Sequence, residues 1–234
     1  MSLTVAIHQP NFFPWLGYFD KIERVDEFIF LDHVQLPKKA GSWTNRVPLL
    51  VSGKKKWVTA SIKRNFSGTK KVNEIQIELA DNWKKKFIKT LKISYGKCVF
   101  FNQVMNFIEP LILFNEENLS KYNIHCIKNI LERLEIKTSH LKLSSDLNQR
   151  GSSSNLLINL TKSVGGNSYL SGGGAEGYQD DNLFGANGIE LIYQNFNHPV
   201  YNQLNREEFV PGLSIIDCLM NNGLEKTNEI ISNA

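Results

Sequence analysis

Residues 4–46 read TVAIHQPNFFPWLGYFDKIERVDEFIFLDHVQLPKKAGSWTNR, and the rest of the chain can be placed relative to them. Residues 4–7 form an apolar run without alternation, the pattern of a strand buried on both faces, and it stops abruptly at His8-Gln9-Pro10-Asn11. Pro10 and Pro14 suit a loop followed by the first turn of a helix, where the missing amide proton costs nothing. From Pro14 to about Arg24, the apolar residues Trp15, Tyr18, Phe19 and Ile22 recur at helical spacing. Phe28 to Leu31 is a second buried-strand run, closing on Asp32-His33-Val34-Gln35. Strand, helix, strand is the unit that builds a parallel sheet with a crossover helix, and ligands of such sheets lie beyond the carboxyl ends of the strands. Both strands end in polar or titratable groups, so a site is expected there, with His8, Gln9 and Asn11 on one strand end and Asp32 and Gln35 on the other.

The chain has 234 residues, of which 41% are hydrophobic and 21% charged, the balance of a globular chain rather than a disordered one. The formal charge of +4 gathers partly in lysine and arginine clusters at 54–56, 63–64, 70–71 and 84–86, which read first as solvated faces and second as contacts for phosphate or an acidic partner. Those clusters are not interleaved with aromatics along one element, so nucleic acid is not an expected partner. No apolar run approaches a membrane span and no signal-peptide pattern opens the chain, so a cytoplasmic location is expected. Cys98, Cys126 and Cys218 are far apart, which fits packing roles rather than a disulfide framework or a zinc site. No cofactor or metal is expected, because His8, Asp32, His33 and His198 follow no ligand spacing.

Beyond the opening unit, residues 43–79 read as a β-hairpin extension: strands at 47–51 and 57–62 around a turn at Ser52-Gly53-Lys54, a basic loop, and a further strand at 72–79. Residues 81–134 read as helical, with Asp81 as an N-cap and Gly96 closing the first helix. Strands are expected at 136–143, 167–171 and 189–196, helices at 153–164, 182–187 and 213–220, and a last helix or tail after Gly223. His125 and His140 read as packing histidines, and Ser214 with Asp217 as a helix cap and a first-turn acid. The expected architecture is a Rossmann-like α/β domain spanning 1–234, with a mostly parallel sheet flanked by helices and a hairpin extension.

Five segments in order resemble the WbqC-like protein family: HQPNFFPWLGYFDKI, LDHVQ through WTNR, YLSGGGAEGY, HPVYNQ and FVPGLSIIDCLMNNG. Members of that family are found in gene clusters for O-antigens, capsules and other bacterial surface polysaccharides. The resemblance therefore implies work on an unusual sugar, nucleotide-linked or lipid-linked. A looser resemblance, to the HIGH-superfamily nucleotidyltransferases, lies in Pro14-Trp15-Leu16-Gly17-Tyr18, which keeps the proline and glycine of P-H-x-G-H. Trp15 and Tyr18 stand where the two histidines would be, which speaks against adenylyl transfer by that family's mechanism.

Within this frame His8 is a candidate general acid or base, or a loop-holding hydrogen-bond donor. His198 has the same two readings, and Asp32 is placed to orient a histidine or bind a sugar hydroxyl. Trp43, Asn45 and Arg46 suit stacking on a ring with a fork on phosphate or carboxylate, and Trp15 and Tyr18 are further ring contacts. Ser171, Gly172, Gly173 and Gly174 end a strand with bare backbone suited to phosphate, close in sequence to Tyr178. Tyr201 and Gln203 follow His198 in the last polar cluster. The expected activity is acyl or aminoacyl transfer to an amino sugar. The alternatives are a non-catalytic sugar-binding partner of a glycosyltransferase and a divergent nucleotidyltransferase; a homodimer is compatible with either.

Overall fold

A computed structural model describes residues 2–36, 42–65, 68–80, 82–173 and 180–234. Asp81, Gly174 and Tyr178, named above, lie outside the described residues. The opening unit folds as β1 (Thr4–His8), α1 (Leu16–Glu23) and β2 (Glu27–Phe30). The hairpin follows as β3 (Arg46–Val51) and β4 (Lys54–Thr59), then helices α2 (Trp83–Tyr95), α3 (Phe101–Leu113) and α4 (Leu119–Arg133). The chain continues through β5 (Leu141–Leu143), α5 (Ser153–Ser163), β6 (Ser168–Ser171), α6 (Asp181–Ala186), β7 (Glu190–Tyr193) and α7 (Ile215–Ser232).

Five strands make a parallel sheet in the order β5-β2-β1-β6-β7, while β3 and β4 pair separately and antiparallel. The chain therefore runs outward from β1 through β2 to β5, then crosses back to lay β6 on the other side of β1. That reversal opens a crevice between the ends of β1 and β6, the position where doubly wound sheets take their ligands. Side chains alternate across the sheet. Val5, Ile7, Ile29 and Tyr169 pack with Leu156, Leu160 and Phe184 beneath α5 and α6. Ala6, Phe28, Phe30 and Leu170 join the larger cluster, with Phe19 and Ile22 of α1, the hairpin residues Val47 and Leu49, and Ile216 and Leu219 of α7. Full burial on both faces explains why β1 and β2 read as unbroken apolar runs.

The structure departs from the expected elements where backbone partners, not side-chain pattern, decide. Residues 72–79 are not a strand: Val72–Glu74 is a 3-10 turn, and the rest makes only isolated bridges, Ile62 to Ile77 and Gln76 to Asn118. Val72, Ile75 and Ile77 are buried, but the backbone serves two partners in turn, residues 61–63 on one side and Glu117 on the other. The strand expected at 136–143 is confined to its last three residues, and the one at 189–196 ends at Tyr193. Past Tyr193 a last ladder bond runs from Gln194 N to Ser171 O, and Asn195, with φ of 47°, turns the chain away from the sheet. That departure supplies one wall of the crevice.

Two glycines show why their positions take no side chain. In the hairpin turn, Ser52 and Gly53 both have positive φ, 53° and 71°, the twist that suits a two-residue connection. Gly223 interrupts α7 at φ 76°, and a Cβ there would stand 2.7 Å from the Phe100 ring.

Candidate active site

A cavity of about 710 Å³ occupies the crevice at the ends of β1 and β6. Its walls include His8, Gln9, Asn11, Trp15, Trp43, Gly172, Gly173 and His198, eight of the residues singled out in the sequence. Lys21, Ser42, Thr44, Gln194, Asn195, Phe196 and Asn197 complete the lining.

His8 ends β1 with its ring held between aromatic neighbours, edge-on to Tyr18 at 4.9 Å and to Trp15 at 5.8 Å between centroids. Its Nδ1 lies 3.0 Å from the Gln9 carbonyl oxygen. A carbonyl only accepts, so the proton sits on Nδ1, and Nε2 keeps its lone pair with no hydrogen-bond partner among the described residues. Burial, and then the charge of Lys21, push the His8 pKa down to about 3 against a partial rise from the Gln9 hydrogen bond. The ring is therefore neutral at physiological pH, an acceptor and not a cation. His198 lies on the opposite wall against Phe196, its pKa lowered by burial and then by Lys55.

Lys21 is the charged group of this cavity that the sequence did not single out. It follows Gly17 by four residues and Tyr18 by three, so it shares their side of α1, and only 4% of it is exposed. Its ammonium has no hydrogen bond or ion pair among the described residues. The neighbouring Asp20 carboxylate is taken by Gln194 Nε2 at 2.6 Å and by Arg24 Nη1 at 3.5 Å. Burial brings the Lys21 pKa down to about 8, with Asp20 opposing the shift. Gly172 faces it closely: a Cβ on Gly172 would stand 2.5 Å from Lys21 Nζ. Asn11, 2% exposed, contributes a second unused donor, for its Nδ2 has no partner.

Aromatic rings make the remaining wall. Trp15 and Trp43 lie 4.6 Å apart between centroids, and Trp57 continues the series 5.1 Å beyond Trp43. Gly17 is open for the same reason: a Cβ there would meet the Phe196 ring at 2.7 Å.

Other candidates lie elsewhere. Tyr18 is buried behind His8, with its hydroxyl donating to the Gln9 carbonyl at 3.0 Å. Asn45 donates to the Ala60 carbonyl, and the Arg46 guanidinium stacks over Trp57 at 4.3 Å, so neither lines the cavity. Asp32 sits at the other end of the sheet edge, where Ser144 Oγ, Ser145 N, Ser145 Oγ and Asn73 Nδ2 donate to its carboxylate. Gln35 is exposed and bridges to Lys71. Ser171 is fully buried at the end of β6. Tyr201 and Gln203 point to the buried carboxylate of Asp217, which also accepts from the Tyr95 hydroxyl. Among the described residues, no three His, Cys, Asp or Glu side chains come together in a group able to hold a metal ion. No helix among them is long and apolar enough to cross a membrane.

A parallel α/β sheet that reverses its strand order beside a polar, aromatic-walled cavity places the chain in the doubly wound fold class. Comparison of the sequence with known families is consistent with that: the chain belongs to the WbqC-like protein family, whose sequence model matches residues 9–229. It is 32% identical over 223 residues to the uncharacterized protein Rv1507c of Mycobacterium tuberculosis (strain ATCC 25618 / H37Rv), covering 94% of each chain. No solved structure matches it.

Proposed function

We propose that this protein is a cytoplasmic transferase that modifies a nucleotide-linked or lipid-linked amino sugar of a bacterial surface polysaccharide, by acyl or aminoacyl transfer to the sugar nitrogen. The observation that carries this reading is the His8 ring, locked with its proton on Nδ1 and its bare Nε2 in the wall of the switch-point cavity. In the reaction, the sugar amine attacks the acyl carbon, an N–C bond forms, and the bond to the leaving group breaks with its electron pair. His8 takes the proton from the amine and returns it to the leaving group. An imidazole whose pKa is lowered to about 3, by burial first and by Lys21 second, holds a proton only in passing, and a negative charge on the bound substrate would offset the Lys21 part of that shift. Trp15, Trp43 and Phe196 offer rings against which a sugar or base packs. Family resemblance supplies the sugar, and the cavity supplies a neutral base between apolar rings.

The test has two stages. Purified protein is screened for a rise in melting temperature with UDP-, dTDP- and GDP-linked amino sugars and with acyl donors, and hits are then incubated together and followed by mass spectrometry. A product heavier than the sugar by one acyl group is expected. His8→Gln should lower turnover by roughly 100-fold or more while still binding the sugar. Full turnover in His8→Gln, or stabilisation without any product, rejects the catalytic assignment.

A further inference from the structure

A lysine with 4% exposure and no hydrogen bond or ion pair among the described residues is expensive to fold around, and the Asp20 charge offsets only part of that cost. Proteins place such a group either in a pair, which is absent for Lys21 among the described residues, or where a ligand will complete the pair. The surroundings favour the second arrangement. Asp20, the carboxylate next to it in sequence, is occupied by Gln194 and Arg24, and Arg24 Nη1 is itself fixed by the Gln194 carbonyl at 2.9 Å. Gly172, having no Cβ, lets the Lys21 ammonium lie against its backbone, with Gln194 Oε1 3.7 Å from the point where a Cβ would stand. Asn11 brings a buried and unpartnered N–H donor to the same cavity, and His8 presents no positive charge that would compete for an anion.

We infer that Lys21 and Asn11 anchor a phosphoryl group of the ligand, so that the cavity selects phosphate-bearing sugars over neutral ones. A lysine ammonium acts as a compact point charge suited to a tetrahedral anion, whereas planar carboxylates are matched best by the fork of an arginine, and Arg46 stands outside this cavity. The assignment rests on the reading that this cavity is the substrate site, and it names the chemical class admitted there. It also gives the bound anion a second effect. Offsetting the Lys21 charge removes the smaller of the two causes that hold the His8 pKa low, while burial, the larger, remains.

The experiment needs no turnover. Melting curves and calorimetric titrations of the full chain are recorded at matched ionic strength with inorganic pyrophosphate, glucose 1-phosphate, glucose and succinate, for the wild type, Lys21→Met and Gly172→Ala. Pyrophosphate and glucose 1-phosphate should stabilise the wild type, and glucose and succinate should not. Lys21→Met should weaken pyrophosphate binding on the order of tenfold or more, the loss of one charge-assisted contact. Gly172→Ala should do the same with the charge retained, because its methyl would stand 2.5 Å from Lys21 Nζ and displace the ammonium from its place in the cavity. A wild-type response to pyrophosphate in both variants overturns the anchor. An equal response to succinate overturns the choice of phosphate, and no response of the wild type to either phosphate probe overturns both. Since pyrophosphate carries no sugar and no acyl acceptor, failure to find transferase turnover leaves this result standing, and failure here leaves the transferase assay to be decided separately.

Discussion

Replacing Lys21 by methionine should make the unliganded protein more stable. Lys21 is nearly isosteric with methionine along its stem, and its ammonium is the part without a partner. The fall of its pKa from 10.5 to about 8 on folding corresponds to roughly 3 kcal/mol spent on burying the charged form. Water in the cavity relieves part of this, so a gain of about 1–2 kcal/mol is expected in Lys21→Met, a rise of roughly 3–6 °C in melting temperature for a chain of this size. The pH dependence supplies a sharper check. Below pH 8 the lysine is charged in both folded and unfolded chains and the folded state carries the full cost. As pH rises from about 8 to 10.5 the folded protein releases the proton first, so wild-type stability contributed by this group increases across that window. The advantage of Lys21→Met should therefore be largest at pH 7 and close by about pH 10.5. The charged or titratable groups acting on Lys21, His8 from β1 and Asp20 from α1, are present in both proteins, and subtraction removes their own titration to first order. Urea unfolding of both proteins at pH 7 and at pH 10.5 measures the gap. A methionine variant less stable than wild type at pH 7, or a gap unchanged between the two pH values, refutes the reasoning that Lys21 is an uncompensated charge.

Asp217→Asn should destabilise the fold by about 2–4 kcal/mol in urea unfolding, because an amide offers one acceptor where Tyr95, Tyr201 and Gln203 all donate; a change under 1 kcal/mol would mean the carboxylate is not the shared acceptor. Gly223→Ala should cost about 1–3 kcal/mol, since it combines positive φ with a Phe100 ring in the way, and should exceed Gly53→Ala, where the φ is similar but the space is open. Equal losses at the two glycines would remove the Phe100 contact from the account.

The parts of the fold that were legible in sequence are those with a backbone period and a single partner. β1 and β2 were legible as runs buried on both faces, α1 as a stripe at 15, 18, 19 and 22, and the hairpin through Ser52-Gly53. Residues 72–79 misled because their apolar side chains go inward while their backbone pairs with 61–63 and 117–118 in turn, an arrangement that depends on where α4 begins. The site was half legible for a related reason. Strand ends pointed to His8, Gln9 and Gly172, but sequence order does not say that the chain crosses β1 after β5, so the end of β2 had the same claim as the end of β6. Sequence order alone gives Asp32 the same standing as His8, whereas in the fold it binds the β5 end together through Ser144 and Ser145. Lys21 carries no signal in the sequence, because a lysine beside an apolar helical stripe ordinarily belongs to its solvated edge. Only the tertiary position of Gly172 and Gln194 shows that this edge is covered.

What separates the polar residues of the cavity from those that knit the fold is unused hydrogen-bonding capacity that converges. Asp32, Asn45, Tyr201, Gln203 and Asp217 meet partners within the protein, so a ligand reaching them would have to displace a bond already made. Unused capacity by itself decides little: Trp83 Nε1 and His140 Nδ1 are also unpartnered, but they do not line the cavity and gather no second polar group around it. Three residues of the cavity lining, His8 of β1, Lys21 of α1 and Asn11 of the loop between them, each carry a nitrogen with no hydrogen bond among the described residues. Because a strand end, a helix face and a connecting loop were all required to leave a valence open, packing alone does not account for the arrangement. The same argument orders the mutations: changes at Asp32, Asn45 or Asp217 should lower stability first and binding second, and changes at Lys21 or Asn11 should lower binding while leaving or raising stability.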